Sequence, residues 1–268
     1  MDARAPFFRE QGKGTGVVCL HSNASTSSQW RLLMDKLSDR FRVIAVDGYG
    51  AGKSPPWPSD RPVRLEDEVS LLGAALESAG ERFHLVGHSY GGAVALKTAL
   101  MFPQRVRSVV VYEPTLFHLV VQGDPLDSPA EGIWRAASDA ADAVDLGHST
   151  AGARRFIDFW MGCCAWDSMP PARQTVVAYA VRNVRGWRDA LFQESVPRSA
   201  LARLDVPVLC LAGERSPESS LSVARMLLET LPRVTVVPQP GLGHMGPITH
   251  PERVNPQIAE FLNGHQSG

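Results

Sequence analysis

The stretch Phe83-His84-Leu85-Val86-Gly87-His88-Ser89-Tyr90-Gly91-Gly92-Ala93 leaves this chain little choice of local structure. A short apolar run ends in Gly-His-Ser-Tyr-Gly and passes at once into a helical run, so G-x-S-x-G stands in strand–turn–helix context. A strand that turns directly into a helix crowds the backbone about its central residue and drives that residue toward strained dihedrals. Gly87 and Gly91 remove side chains where neighbouring segments pass closely. The Ser89 hydroxyl is thereby left clear at the top of a sheet. A serine alone is a poor nucleophile, so other parts of the chain must supply a base, an acid and an oxyanion hole. A glycine-rich turn without chemistry is the bland alternative; the flanking elements and the partners identified below weigh against it.

The same rhythm runs along much of the sequence. Apolar runs at Val17–Leu20, Phe41–Val46, Phe83–Val86 and Val106–Tyr112 read as buried strands, each separated from the next by helical spacing such as Trp30, Leu33, Met34 and Leu37. Leu65, Val69, Leu72 and Leu76 mark one amphipathic helix, and Phe7–Glu10 reads as an edge strand. Alternation of fully apolar strands with helices argues a mostly parallel central sheet covered on both faces. From residue 115 to 200 the rhythm breaks. Three helices are expected there, around 133–144, around Phe156 and Trp160, and from Val176 to Leu191. Strands at 206–213 and 234–237, and helices around 224–231 and 254–261, then resume the pattern. The expected organisation is an α/β core from 1–114 and 201–268 interrupted by a helical cap at 115–200, with a frayed tail at 264–268.

Bulk properties exclude several classes. A chain of 268 residues with 44% hydrophobic content can bury a sizeable core. A formal net charge of −1 and the absence of long charge runs offer nothing to nucleic acid. No apolar run reaches membrane-spanning length, and Met1–Pro6 lacks a signal core. Cys19, Cys163, Cys164 and Cys210 form neither a disulfide framework nor a zinc pattern, so a cytoplasmic location is expected. No metal cluster is expected. The elbow lacks the Lys-Ser/Thr ending of a phosphate loop and the spacing of a dinucleotide site, and no cofactor is expected.

With the elbow, the helical insertion and the late loop Gly241-Leu242-Gly243-His244 in hand, the chain resembles the α/β-hydrolase superfamily over residues 7–263. His21-Ser22-Asn23 and the turn from Asp47 to Ser54 also carry the resemblance. The family's first loop is usually His-Gly, and Ser22 stands at the glycine. The resemblance implies a cofactor-free hydrolase, although this fold hosts many reactions.

On that resemblance Ser89 is the nucleophile and His244, in a glycine-rich loop after the last strand, is the base. Of the other histidines, His84 is expected to be packed, His88 to point elsewhere, and His21 to brace its loop. In most relatives the acid is an Asp after the strand at 208–212. Here Gly213-Glu214-Arg215-Ser216 places an uncharged Ser216 at that position. Glu113, at the end of the preceding strand, is where some relatives carry the acid, and it is preferred over Glu214. The oxyanion hole is expected at the backbone N–H groups of Tyr90 and Asn23; Asn23 could equally cap the following helix. Asp47 reads as a structural carboxylate bonding turn amides. Trp30, Phe117, Phe159, Trp160, Trp166 and Trp187 suggest, as a group, a largely apolar small-molecule acyl substrate. Cleavage of an ester or lactone leads. Carbon–carbon bond hydrolysis, acyl transfer and a low-turnover ligand sensor remain open, and the oligomeric state is not specified.

Overall fold

The computed structural model describes residues 5–194 and 196–266. Seven strands form one sheet: β1 (Phe8–Gln11), β2 (Thr15–Leu20), β3 (Phe41–Val46), β4 (Phe83–His88), β5 (Val106–Tyr112), β6 (Val208–Gly213) and β7 (Val234–Gln239). Their order is β1-β3-β2-β4-β5-β6-β7. β1 runs antiparallel to β3, and every other pairing is parallel. β4, which leads directly into Ser89, therefore lies at the centre, with its C-terminal end between those of β2 and β5.

The central strands are mostly apolar along both faces because the sheet has two buried faces. Along β2, Val17 and Cys19 face one core, and Val18 and Leu20 face the other. The first face is covered by α1 (Arg31–Leu37) and α12 (Pro251–Gly264), through Leu33, Met34, Val254, Ile258 and Leu262. The second is covered by α2 (Leu65–Leu71), α3 (Gly73–Ala79), α4 (Tyr90–Met101) and α10 (Glu218–Thr230). Full burial of each such aliphatic side chain contributes about 1.5–3 kcal/mol before conformational entropy is counted.

Between β5 and β6 lie α5 (Glu131–Asp145), α6 (Ser149–Met161), α7 (Pro171–Ala180), α8 (Val184–Phe192) and the short α9 (Arg198–Leu201). After β7 a loop leads through α11 (Gly246–Thr249) into α12. Two expected helices are broken. The one spanning Leu65 to Leu76 divides at Leu72, whose N–H is shared between the carbonyls of Glu68 and Val69 just before Gly73, a poor helix former. The one from Val176 to Leu191 divides at a tighter 3-10 turn, Val181–Asn183. Of the tail expected at 264–268, Gly264 ends α12, and residues 267 and 268 lie outside the described residues. Among the described residues no helix is long and apolar enough to cross a membrane.

Candidate active site

The turn from β4 into α4 is as tight as its sequence demands. Ser89 sits at φ 56° and ψ −118°, where a side chain is strained. A Cβ added to Gly87 would come within 2.3 Å of the Gly91 carbonyl oxygen, and one added to Gly91 within 2.3 Å of the Leu20 carbonyl oxygen. No larger residue fits either place without moving backbone. The Ser89 backbone is held by its N–H on the Tyr112 carbonyl and by the Gly92, Ala93 and Thr115 N–H groups on its own carbonyl. Over-determination of this kind keeps a strained residue in place.

The loop after β7 brings His244 over this serine. Nε2 lies 2.9 Å from Ser89 Oγ, and Nδ1 lies 2.6 Å from Glu113 Oε2. All three residues are buried. The carboxylate fixes the tautomer: Nδ1–H donates to Glu113, leaving Nε2 to accept from the serine hydroxyl. Glu113 follows β5 at φ 46°, a second strained residue at the site. Its other oxygen accepts the Gly213 N–H at 2.6 Å and the Ser216 hydroxyl at 2.5 Å. Ser216 thus stands where a carboxylate was expected and donates to the carboxylate that reaches in from β5. Glu214 is exposed and accepts the Gly241 N–H.

Asn23 lines the same cavity as Ser89 and His244. The short 3-10 helix after it is capped by Thr26, which accepts from Ser28 N–H, so the capping alternative for Asn23 is not realised. Tyr90 opens α4, and its N–H belongs to the first turn, where no intrahelical acceptor exists. Asp47 accepts Ser27 N–H at 2.6 Å and Lys53 N–H at 3.0 Å, tying two loops together. His21 donates from Nδ1 to the Ser22 carbonyl and accepts Gly48 N–H on Nε2. His84 is buried against Ser108.

Three features escaped sequence reading. First, Trp160 of α6 stacks on the His244 imidazole, with ring centroids 3.8 Å apart and planes 23° from parallel. Second, His88 does not merely point away: its Nε2 donates to the His244 carbonyl at 2.8 Å, and Nδ1 accepts from Gln29. Gln29 in turn accepts from the Ser22 N–H and hydroxyl, each at 3.2 Å. The serine at the family's glycine is thereby absorbed into a chain that ends on the His244 backbone. Burial, with the neighbouring His244, holds the His88 pKa well below the usual imidazole range, as a neutral one-donor, one-acceptor ring requires. Third, Glu68 is buried beneath the loop after β3. Its place on the apolar stripe of α2, between Leu65 and Leu72, was the available signal.

Of the six aromatic residues expected as a group around a pocket, Phe117, Trp160 and Trp187 line the cavity over Ser89. Trp30 packs instead on the opposite face of the sheet against α1, a correction that follows from its helical spacing with Leu33 and Met34. The cavity is lined mostly by apolar side chains such as Ile133, Phe156 and Leu191, with Thr115 and Arg188 among its polar members. Among the described residues no group of three or more His, Cys, Asp or Glu could hold a metal ion.

The sequence model described as "Alpha/beta hydrolase family" matches residues 17–257. The chain belongs to the alpha/beta hydrolase family. This α/β-hydrolase is 26% identical to an uncharacterized protein of Mycobacterium tuberculosis over 96% of its own length and 77% of the relative's. It is 22% identical to the pimeloyl-[acyl-carrier protein] methyl ester esterase of Aliivibrio fischeri, covering 97% of this chain and 98% of that one. Among solved structures, a thermophilic esterase from Thermogutta terrifontis superposes with a TM-score of 0.77 at 22% identity, over 98% of this chain and 94% of that one. That likeness is one of fold.

Burial pushes the Glu68 carboxyl up from 4.5 to about 7, against the hydrogen bonds from Tyr49 N–H and Tyr90 hydroxyl that favour its ionised form. Between pH 4.5 and 7 the folded protein holds a proton that the unfolded chain has released, so stability falls as pH rises through that window. The loss amounts to about 3 kcal/mol and is complete above pH 7. Glu68→Gln removes the titration. Urea denaturation at fixed ionic strength should show the variant gaining on the parent between pH 4.5 and 7, with no further gain above.

Proposed function

We propose that this α/β-hydrolase is a cofactor-free serine hydrolase of carboxylic esters, working through Ser89, His244 and Glu113. The observation that carries the reading is the unbroken chain from Ser89 Oγ through the imidazole to a buried carboxylate, under a largely apolar cavity. In this mechanism Ser89 Oγ attacks the ester carbonyl carbon as its proton passes to His244 Nε2. The developing oxyanion is held by the Tyr90 and Asn23 N–H groups. The tetrahedral species collapses, the C–O bond to the alcohol breaks, and Nε2 returns the proton to the departing oxygen. Water, deprotonated by the same nitrogen, then releases the acid and restores Ser89. Glu113 stabilises the imidazolium in both halves without taking its proton. The esterase activity named for the Aliivibrio fischeri relative is in keeping with this chemistry.

Residues 115–200 serve as a cap over a core of 1–114 and 201–268, and their apolar lining favours a largely apolar acyl substrate. All four cysteines are free thiols, which suits the cytoplasm.

Fluorophosphonate labelling with peptide mass spectrometry tests the reading. One adduct per chain is expected on Ser89, and its loss in His244→Ala. Folded protein that takes no adduct would refute an activated serine and favour the low-turnover sensor.

Trp160 has a role here that a wall residue would not. Its indole face lies against the ring that becomes cationic in the transition state, an arrangement worth about 0.5–2 kcal/mol. Trp160→Ala should lower kcat about 3–10-fold, with Trp160→Phe recovering most of it. Steady-state kinetics on a small ester, which leaves the cavity walls untouched, separates this from lost substrate packing.

A further inference from the structure

A second cavity adjoins the one over Ser89. Asn23 and Trp187 line both, so the two meet at the loop that supplies the oxyanion donor. Ser89 and His244 line only the first. Leu72 and Val94 give the second apolar walls, and the Tyr90 side chain and Glu68 also line it.

Glu68 and Asp47 are both deeply buried carboxylates, but of the two only Glu68 lines the second cavity. Glu68 is 4% exposed, and no ion pair to it is found among the described residues. Oε2 accepts Tyr49 N–H and Oε1 accepts the Tyr90 hydroxyl, both at 3.2 Å, toward the long end of the hydrogen-bond range. Above pH 7, where Glu68 is ionised, its carboxylate has about four acceptor sites, so capacity remains on both oxygens. A buried acid with spare acceptors is costly to keep unless something donates to it.

The geometry of the reaction tells which half of an ester would reach this chamber. The departing alcohol must take its proton from His244 Nε2, so it lies on the imidazole side, in the first cavity. The acyl chain must leave the carbonyl carbon in another direction, and the second cavity meets the first at Asn23 and Trp187.

We propose that the second cavity is the acyl pocket and that Glu68 selects acyl chains ending in a hydrogen-bond donor, a hydroxyl or an ammonium group. This rests on the serine hydrolase reading above. A buried polar group rejects the analogue that leaves it unpaired more strongly than an apolar wall rejects an extra hydroxyl.

The test compares p-nitrophenyl esters of matched-length alkanoic, ω-hydroxyalkanoic and ω-aminoalkanoic acids, so that the leaving group is constant. Wild-type kcat/KM should favour at least one donor-ended chain over the alkyl chain by about 10-fold or more. Glu68→Leu should bring that ratio to about one or below. Glu68→Gln, which keeps the shape and an acceptor oxygen, should retain a hydroxyl preference and lose an ammonium preference, and so tells the two donors apart. Calorimetric titration of the non-hydrolysing Ser89→Ala protein with the same three esters, with and without Glu68→Leu, gives a readout that needs no turnover. Should the wild type hydrolyse none of the esters, the hydrolase reading falls, while the titration still decides the pocket. Equal affinity for the three chains, or a preference that survives Glu68→Leu in folded protein, would overturn the proposal. Glu68 would then be a brace for the loop after β3.

Discussion

Ser89→Ala is expected to abolish ester hydrolysis, lowering kcat by at least about 10⁴-fold, in a protein that folds as before. The size follows from what the hydroxyl does in the proposed mechanism. Without Oγ there is no atom to form the acyl-enzyme, and His244 is left to activate water at a site shaped for a different attack. Residual rate then comes from oxyanion stabilisation and binding alone. The fold should survive because alanine fills the same space at the elbow, and the backbone bonds that hold the strained φ of 56° are untouched. What is lost structurally is one 2.9 Å hydrogen bond to His244 Nε2, worth about 1 kcal/mol. Stopped assays on purified variant, with a thermal melt alongside, check both halves. Retained turnover in well-folded Ser89→Ala protein would move the chemistry to another residue.

The sheet was legible from sequence because both of its faces are buried. Runs such as Val17–Leu20 in β2 and Val109–Tyr112 in β5 read as continuous and apolar, and alternation with helices fixed their parallel sense. The interruptions of helices were not legible. Whether Leu72 continues a helix or tightens a turn depends on packing under the loop after β3, and local spacing is the same in both cases. At the site, Ser89 and His244 were singled out by their positions in distinctive loops, and they lie within hydrogen-bond reach of one another. Glu113 was preferred because Ser216 could not carry charge. The Ser216–Glu113 hydrogen bond places the two alternative positions side by side. The stack of Trp160 on His244 joins residues 84 apart in sequence from the insertion and the core, and helical spacing alone cannot say which aromatic reaches across. The brace from Ser22 through Gln29 and His88 was hidden for a similar reason: each member has an ordinary local role when considered alone.

Glu113→Gln should reduce kcat by about 10³–10⁴-fold, nearly as much as loss of the nucleophile, although only one atom changes. The local donors dictate the orientation of the new amide. Oε1 of Glu113 accepts from the Gly213 N–H, a backbone group that cannot turn away, and from Ser216. The amide oxygen must occupy that place, because an NH₂ there would face a fixed donor. The NH₂ is then turned toward His244 Nδ1, which must accept. The ring's proton moves to Nε2, and a protonated Nε2 cannot take the proton of Ser89. The variant thus holds the imidazole in place and in the wrong tautomer, with no negative charge to stabilise an imidazolium. Glu214→Gln, on an exposed side chain bonded to Gly241 N–H, should change kcat by less than about 3-fold, within the small range usual for surface substitutions. A swap adds a positive control. Glu113→Ser combined with Ser216→Asp exchanges hydroxyl and carboxylate across an existing 2.5 Å contact, and should regain part of the rate lost in Glu113→Ser alone. Steady-state kinetics on one activated ester, compared across the four variants, separates a carboxylate that orients His244 from one that only supports the fold. A merely structural Glu113 would lower stability in Glu113→Gln without this loss of kcat, and would give the swap no advantage.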